Sequence, residues 1–184
     1  MILPVYIYGS PVLRKTAREV GKDEKGLDQF IQDLWDTMYH SDGIGLAAPQ
    51  VGKSIRIFVV DGTPLEKDDP ELKDFKMTFI NPEIIDRFGD DKTYEEGCLS
   101  IPEIREEIVR PEKIRIRWYD ADFNPHEDEF GGIGARIIQH EYDHLQGILF
   151  TDKVAPLKKR MLKGKLNAIA KGKFEVKYKV KVPK

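Results

Sequence analysis

His140, Glu141 and His144 stand in the run QHEYDHLQG at 139–147 and make an H-E-x-x-H. On a helix of about 3.6 residues per turn, the two imidazoles fall one above the other on a single face. Two nitrogens so placed can grip one divalent cation, and the carboxylate beside them can carry a proton. The pattern names a reaction class, metal-assisted hydrolysis. The chain has four histidines, and two of them are here. A solvated helix face would carry the same residue types, so the remainder of a site has to be sought elsewhere in the chain.

A hydrolytic centre of this kind needs three protein ligands and an open position for water. Beyond His144 the only acidic residues are Asp152 and Glu175, and no His remains. The protease arrangements with a later Glu or His ligand are therefore poorly supplied. The other candidate is Cys98, the single cysteine, within YEEGCLS at 94–100. A thiolate with two imidazoles suits Zn²⁺ or Fe²⁺. A lone Cys is also commonly a small buried hydrophobe, so the residue type alone leaves both readings open.

Three segments, GIGLAAPQ at 43–50, EGCLS at 96–100 and QHEYDHLQG at 139–147, resemble the three sequence boxes of the peptide deformylase family. They occur in that family's order and spread over most of the chain. The resemblance implies removal of the formyl group from the N-terminal formyl-methionine of nascent proteins. It implies Cys98, His140 and His144 as metal ligands and Glu141 as the catalytic acid/base. Gln50 and the backbone N–H of Leu99 are implied as oxyanion donors, and Gly45 as a residue whose carbonyl helps hold the peptide. It further implies Fe²⁺ as the physiological metal, with Zn²⁺, Ni²⁺ or Co²⁺ able to take the site. Two His and one Cys, taken by themselves, favour zinc.

The residue chemistry suits those roles. A metal ion lowers the pKa of a water and polarises the formyl oxygen. Glu141 can take the proton of that water and return it to the departing amine. The negative oxygen that develops needs donors already aimed at it, and the Gln50 amide is an uncharged one. Gly43 and Gly45 permit close backbone approach, so a substrate strand could pair there; a Gly-rich turn packing Ala47 and Ala48 is the alternative. Ile133 and Ile137 share the helix face of His140, and Ile44 sits in the glycine box. A methionine side chain fits among these three, although ordinary core packing accounts for the two helical isoleucines equally well. Glu96 is expected to be a carboxylate partner near the site, with Arg136 a possible companion, and Gln139 to make supporting hydrogen bonds.

Elements must hold these residues in place. Leu27, Phe30, Ile31, Leu34, Trp35 and Met38 recur at three- and four-residue steps and predict an amphipathic helix over 24–40, ended by Ser41-Asp42-Gly43. Residues 55–60 read as a strand between Gly52 and Gly62, and 77–87 as strand material with an irregular point at Asn81-Pro82. Ile114, Ile116 and Trp118 alternate with charged neighbours, the mark of a half-buried strand. Gly131-Gly132 precede the H-E-x-x-H helix and Gly147 follows it. Pro156 opens a last helix with Leu162, Leu166 and Ile169. Val176, Tyr178, Val180 and Val182 then alternate with lysines as a terminal strand. The segment 61–76, polar with Pro64 and Pro70, reads as a surface loop. Strands followed by helices without regular βαβ alternation predict an α+β fold, antiparallel or mixed sheets around a central helix carrying the metal motif.

At 184 residues the chain suits one domain, 1–184, with a basic helix and strand at about 156–184. Its 40% hydrophobic and 34% charged residues exclude a disordered or membrane-embedded protein. No apolar run approaches the ~20 residues needed to cross a bilayer. No secretory leader is read at Met1–Tyr6, and one Cys forms no internal disulfide, so a cytoplasmic location is expected. From Lys158 onward there are eleven basic residues against one acidic, Glu175. That imbalance suggests a polyanionic partner such as RNA, or simply a solubility device, and the resemblance implies docking on the ribosome. Two further readings stay open: another H-E-x-x-H amidase or peptidase with a different third ligand, and a non-catalytic RNA- or ribosome-binding module.

Overall fold

The computed structural model describes residues Met1–Lys184. Three helices, α1 (Leu27–His40), α2 (Gly132–Leu145) and α3 (Pro156–Ala170), pack on two sheets. The larger sheet is antiparallel throughout, in the order β2 (Gly45–Ala47), β3 (Ile57–Asp61), β4 (Lys76–Cys98), β5 (Ile101–Tyr119) and β6 (Pro125–Gly131). The smaller pairs β1 (Val5–Tyr6) in parallel with β7 (Val180–Lys181). This is the α+β arrangement that the sequence predicts.

Burial explains the strand sequences. β3, IFVVD, is buried at all five positions, so it reads as an apolar run instead of an alternation. β5 alternates toward its end, with Ile114, Ile116 and Trp118 facing the core. The β4–β5 ribbon is far longer than an ordinary strand pair and bends where its register slips, including between Ile80 and Glu83. Asn81 sits at that slip with φ 49°, and its side-chain amide clamps both backbone groups of Val20, at 2.9 and 2.8 Å. The irregular point read at Asn81-Pro82 is therefore a bulge inside one long strand. A two-residue turn, Leu99-Ser100, closes the ribbon and leaves Cys98 at its end.

α2 is buried at nearly every position from Gly134 to Leu145. Ala135, Ile137, Ile138, Tyr142 and Leu145 enter the main core with Phe58, Phe79 and Trp118. Phe79 links the aromatic set, with ring centroids 4.7 Å from Phe58 and 4.8 Å from Trp118. Gly147 ends this part of the chain with φ 74°, and a β-carbon there would meet the Arg14 carbonyl at 2.5 Å. Only glycine fits that junction.

Two expectations need correction, and one alternative is set aside. Residues 61–76 are no simple surface loop: they form short 3-10 turns at Thr63–Leu65 and Pro70–Leu72, and Leu72 and Phe75 enter the core against α2. Two apolar residues diluted among charges carry no periodic signal. The 43–50 segment is an edge strand, β2, running into a 3-10 turn at Ala48–Val51, so it is more than a glycine turn. In the tail, the alternation over 174–182 is present, but only Val180–Lys181 pairs as strand, because β1 offers just two partner residues.

Candidate active site

Cys98, His140 and His144 converge. Their ligand atoms all lie within 4.8 Å of one another, and Cys98 Sγ is 3.4 Å from His144 Nε2. Two different constructions bring them there. α2 stacks the imidazoles one turn apart, with ring centroids 5.2 Å apart, and the tight end of the β4–β5 ribbon delivers the sulfur.

A thiolate and two imidazoles form a donor set that fits a divalent transition metal. Burial opposes a charge on His140, yet the Cys98 sulfur and Glu96 hold its pKa well above the ordinary value. An ion held here would displace that proton, since ligation needs the neutral imidazole. Burial drives His144 well below its ordinary value, toward the neutral imidazole that ligation requires.

Glu96 orients His140. It accepts from His140 Nδ1 at 2.8 Å, leaving Nε2 as the free ring nitrogen. The same buried carboxylate accepts from Arg110 Nε at 2.7 Å and Nη2 at 3.0 Å, and from Arg136 Nη1 at 2.8 Å. Arg110 Nη1 in turn reaches Asp143 at 2.8 Å. Burial alone would lift the Glu96 pKa, but the His140 and Arg110 hydrogen bonds hold it well below the usual carboxylate range. Gln139, by contrast, donates to the Pro111 carbonyl at 2.9 Å and ties α2 to β5.

Glu141 is buried, and its Oε2 has no hydrogen-bond partner. Burial, the largest influence, pushes its pKa up to about 7. Such a carboxyl sits near the middle of the range where it can both take and give a proton at neutral pH. Gln50 is fixed by the Ala47 N–H, which donates to its Oε1 at 2.9 Å. That choice turns Nε2 toward Cys98 Sγ, at 3.4 Å, and Ser100 Oγ, at 3.2 Å. The Leu99 N–H, in the neighbouring turn, donates to no acceptor within the protein.

A cleft of about 600 Å³ opens beside this cluster. Ile44, Ile133 and Ile137 line it, together with Leu65 from the 61–76 segment. Ile137 also belongs to the main core cluster and Ile133 packs against it, so the same side chains touch both the core and the cleft. β2 forms one rim of the cleft and is the edge of its sheet. Asp61 N–H donates to the Ile44 carbonyl, and Gly45 is opposite Val60. Antiparallel pairs alternate between bonded and non-bonded, so Gly45 turns its own N–H and C=O away from β3, toward the open edge.

The chain as a whole has relatives among known proteins. The family model described as polypeptide deformylase matches residues 2–160. The chain belongs to the polypeptide deformylase family. Peptide deformylase from Christiangramia forsetii is 48% identical over 190 residues, covering 100% of this chain and 97% of its own. That from Cytophaga hutchinsonii is 46% identical over 183 residues, covering 100% and 98%. The crystal structure of the Thermotoga maritima peptide deformylase superposes with a TM-score of 0.76 at 40% identity, covering 85% of this chain and 99% of that one. A Plasmodium falciparum peptide deformylase structure gives 0.81 at 36% identity, covering 91% and 95%. Deformylases are metal-dependent hydrolases of N-formyl-methionyl peptides, and the protein is an enzyme of that activity. None of its helices is long and apolar enough to cross a membrane.

Sequence reasoning missed three residues beside this site, Arg110, Ser100 and Tyr178. Arg110 lies on the same strand face as Ile104 and Ile108, so the period of two is the signal that could have placed it on the buried side. Arg136 was named only as a possible companion of Glu96, and it makes that contact. Ser100 and Tyr178 gave no signal of their own. Tyr178 donates to the Leu99 carbonyl at 2.7 Å, and burial together with the Cys98 sulfur pushes its phenol up to about 12.

Proposed function

We propose that Cys98, His140 and His144 hold one divalent ion, Fe²⁺ in the cell, and that Glu141, Gln50 and Leu99 carry out deformylation beside it within one catalytic domain spanning 1–184. The observation that carries this reading is the convergence of one sulfur and two imidazoles next to a buried, unpartnered carboxyl. When bound, the ion would polarise the formyl oxygen and make a water more acidic; Zn²⁺, Ni²⁺ and Co²⁺ suit the same donors.

The chain's own residues supply the rest. Glu141 takes a proton from the attacking water as the new C–O bond forms. It returns that proton to the methionine nitrogen as the formyl C–N bond breaks, releasing formate and a free amine. Gln50 Nε2 and the Leu99 N–H donate to the oxygen that becomes negative between those steps. Glu96 keeps the His140 ring in one orientation throughout. Gly45, with its outward backbone groups, pairs with the extended peptide, and Ile44, Ile133 and Ile137 receive the methionine side chain.

The substrates are nascent chains, so we infer a cytoplasmic enzyme that docks on the ribosome through the lysines of its C-terminal segment. The single cysteine and the eleven basic residues after Val154 support this. Formyl-Met-Ala with direct detection of formate tests the central reading. Purified, metal-loaded protein that releases no formate would end it. Cleavage of an unformylated peptide instead would favour a peptidase.

A further inference from the structure

The segment after α3 returns to the catalytic turn, and its attachment is specific. Phe174, Val176, Tyr178, Val180 and Val182 are half-buried, whereas Lys173, Glu175, Lys177, Lys179 and Lys181 are exposed. Phe174 and Val180 pack on the core cluster that also takes up Cys98. The backbone is pinned at three points. Val5 N–H donates to the Lys179 carbonyl at 2.9 Å, Ile7 N–H to the Lys181 carbonyl at 3.0 Å, and the Glu175 N–H to Glu103 Oε1 at 3.2 Å.

Held in this way, the segment presents two residues, Val176 and Tyr178, to the cleft wall. The Tyr178 hydroxyl donates to the Leu99 carbonyl, and the Tyr8 N–H donates to the Ser100 carbonyl at 2.8 Å. Both carbonyls of the two-residue turn are thus fixed from outside the ribbon. The Leu99 N–H belongs to the preceding peptide, Cys98–Leu99, and shares the Leu99 Cα with the carbonyl that Tyr178 holds, so fixing that carbonyl limits the rotation about Leu99 that would turn the N–H. The Tyr178 hydroxyl is the one hydrogen-bond donor to the Leu99 carbonyl. Tyr178 also lies beyond residues 2–160, the part matched by the family model.

We propose that Tyr178 is a positioning residue for deformylation: its hydroxyl locks the Leu99-Ser100 turn so that the Leu99 N–H stays aimed at the oxygen that develops charge. The proposal rests on the role assigned to Leu99 above. An oxyanion donor acts only if it is oriented before the charge appears, so loosening the turn weakens the transition state more than it weakens substrate binding.

Tyr178→Phe removes the hydroxyl and keeps the ring against the cleft. With formyl-Met-Ala, kcat should fall from a few-fold to about tenfold, the worth of one neutral hydrogen bond, while KM stays within about twofold. Amide exchange in a fragment spanning 97–101 should accelerate, with metal content and melting profile unchanged. Phe174→Ala, which loosens the same segment and spares the hydroxyl, is the control. An unchanged kcat in Tyr178→Phe would overturn the proposal. So would an equal loss in Phe174→Ala, since that marks general loosening. Wild-type protein that releases no formate would instead refute the deformylase reading beneath it, and the exchange measurement on the turn would still report whether Tyr178 anchors it.

Discussion

A β-carbon on Gly45 would sit 2.6 Å from Glu141 Oε1 and 2.9 Å from Glu141 Cγ. The glycine therefore leaves room for the carboxyl, in addition to exposing its own backbone at the sheet edge. Gly45→Ala should displace Glu141 or shift β2 by a few tenths of an ångström or more. Misplacement of a reacting group on this scale costs up to about 100-fold in rate. We expect kcat/KM for formyl-Met-Ala to fall by more than about tenfold in a protein that still folds and binds metal. A variant of full activity would show that Glu141 tolerates the methyl group.

Glu141→Gln keeps the volume and removes the titratable oxygen. Turnover should fall by about 10²–10⁴-fold, while metal content, read by elemental analysis, stays equimolar. A wild-type rate would refute the acid/base role. Metal loss would recast Glu141 as part of the ion's support.

Cys98→Ser replaces the soft donor and should lower metal stoichiometry as well as activity; unchanged stoichiometry would remove Cys98 from the ligand set. Protein purified without oxygen should carry iron. Its activity should decay in air as the sulfur and iron oxidise, and nickel- or zinc-loaded protein should outlast it. Equal lifetimes for all three forms would argue against iron chemistry at this sulfur.

Arg110 stands between Glu96 and Asp143 in a region almost sealed from water. Removing one partner of a buried ionic network leaves uncompensated charge, at a cost of about 3–5 kcal/mol. Arg110→Ala should therefore lower stability by about that amount in chemical denaturation and loosen His140 through Glu96. A loss below about 1 kcal/mol would mean that water reaches the two carboxylates.

The docking role of the tail needs a test that spares the fold. Deleting residues 172–184 would also remove Tyr178 and β7, so charge changes are cleaner. Lys173, Lys177 and Lys179 are exposed. Replacing all three by Gln should weaken co-sedimentation with ribosomes and flatten its salt dependence, with deformylation of formyl-Met-Ala unaltered. Undiminished binding would discard these lysines as the contact.

The sequence by itself determined the chemistry. H-E-x-x-H needs only helical periodicity to align His140 with His144, and the three boxes named Cys98, Gln50 and Leu99 because those positions are readable one residue at a time. The strong helices and the alternating end of β5 were legible for the same reason, since local period reports which face is buried. Tertiary structure decided what depends on distant pairings. Neither Leu72 nor Phe75 showed a core role within its charged neighbourhood, and the burial of Arg110 between two carboxylates depended on strand register and on α2. The return of the tail to Leu99 depended on β1 pairing with β7, a contact between the two ends of the chain. A residue's spacing from its neighbours in sequence fixes a helix face, but it cannot say which segment arrives from more than a hundred residues away.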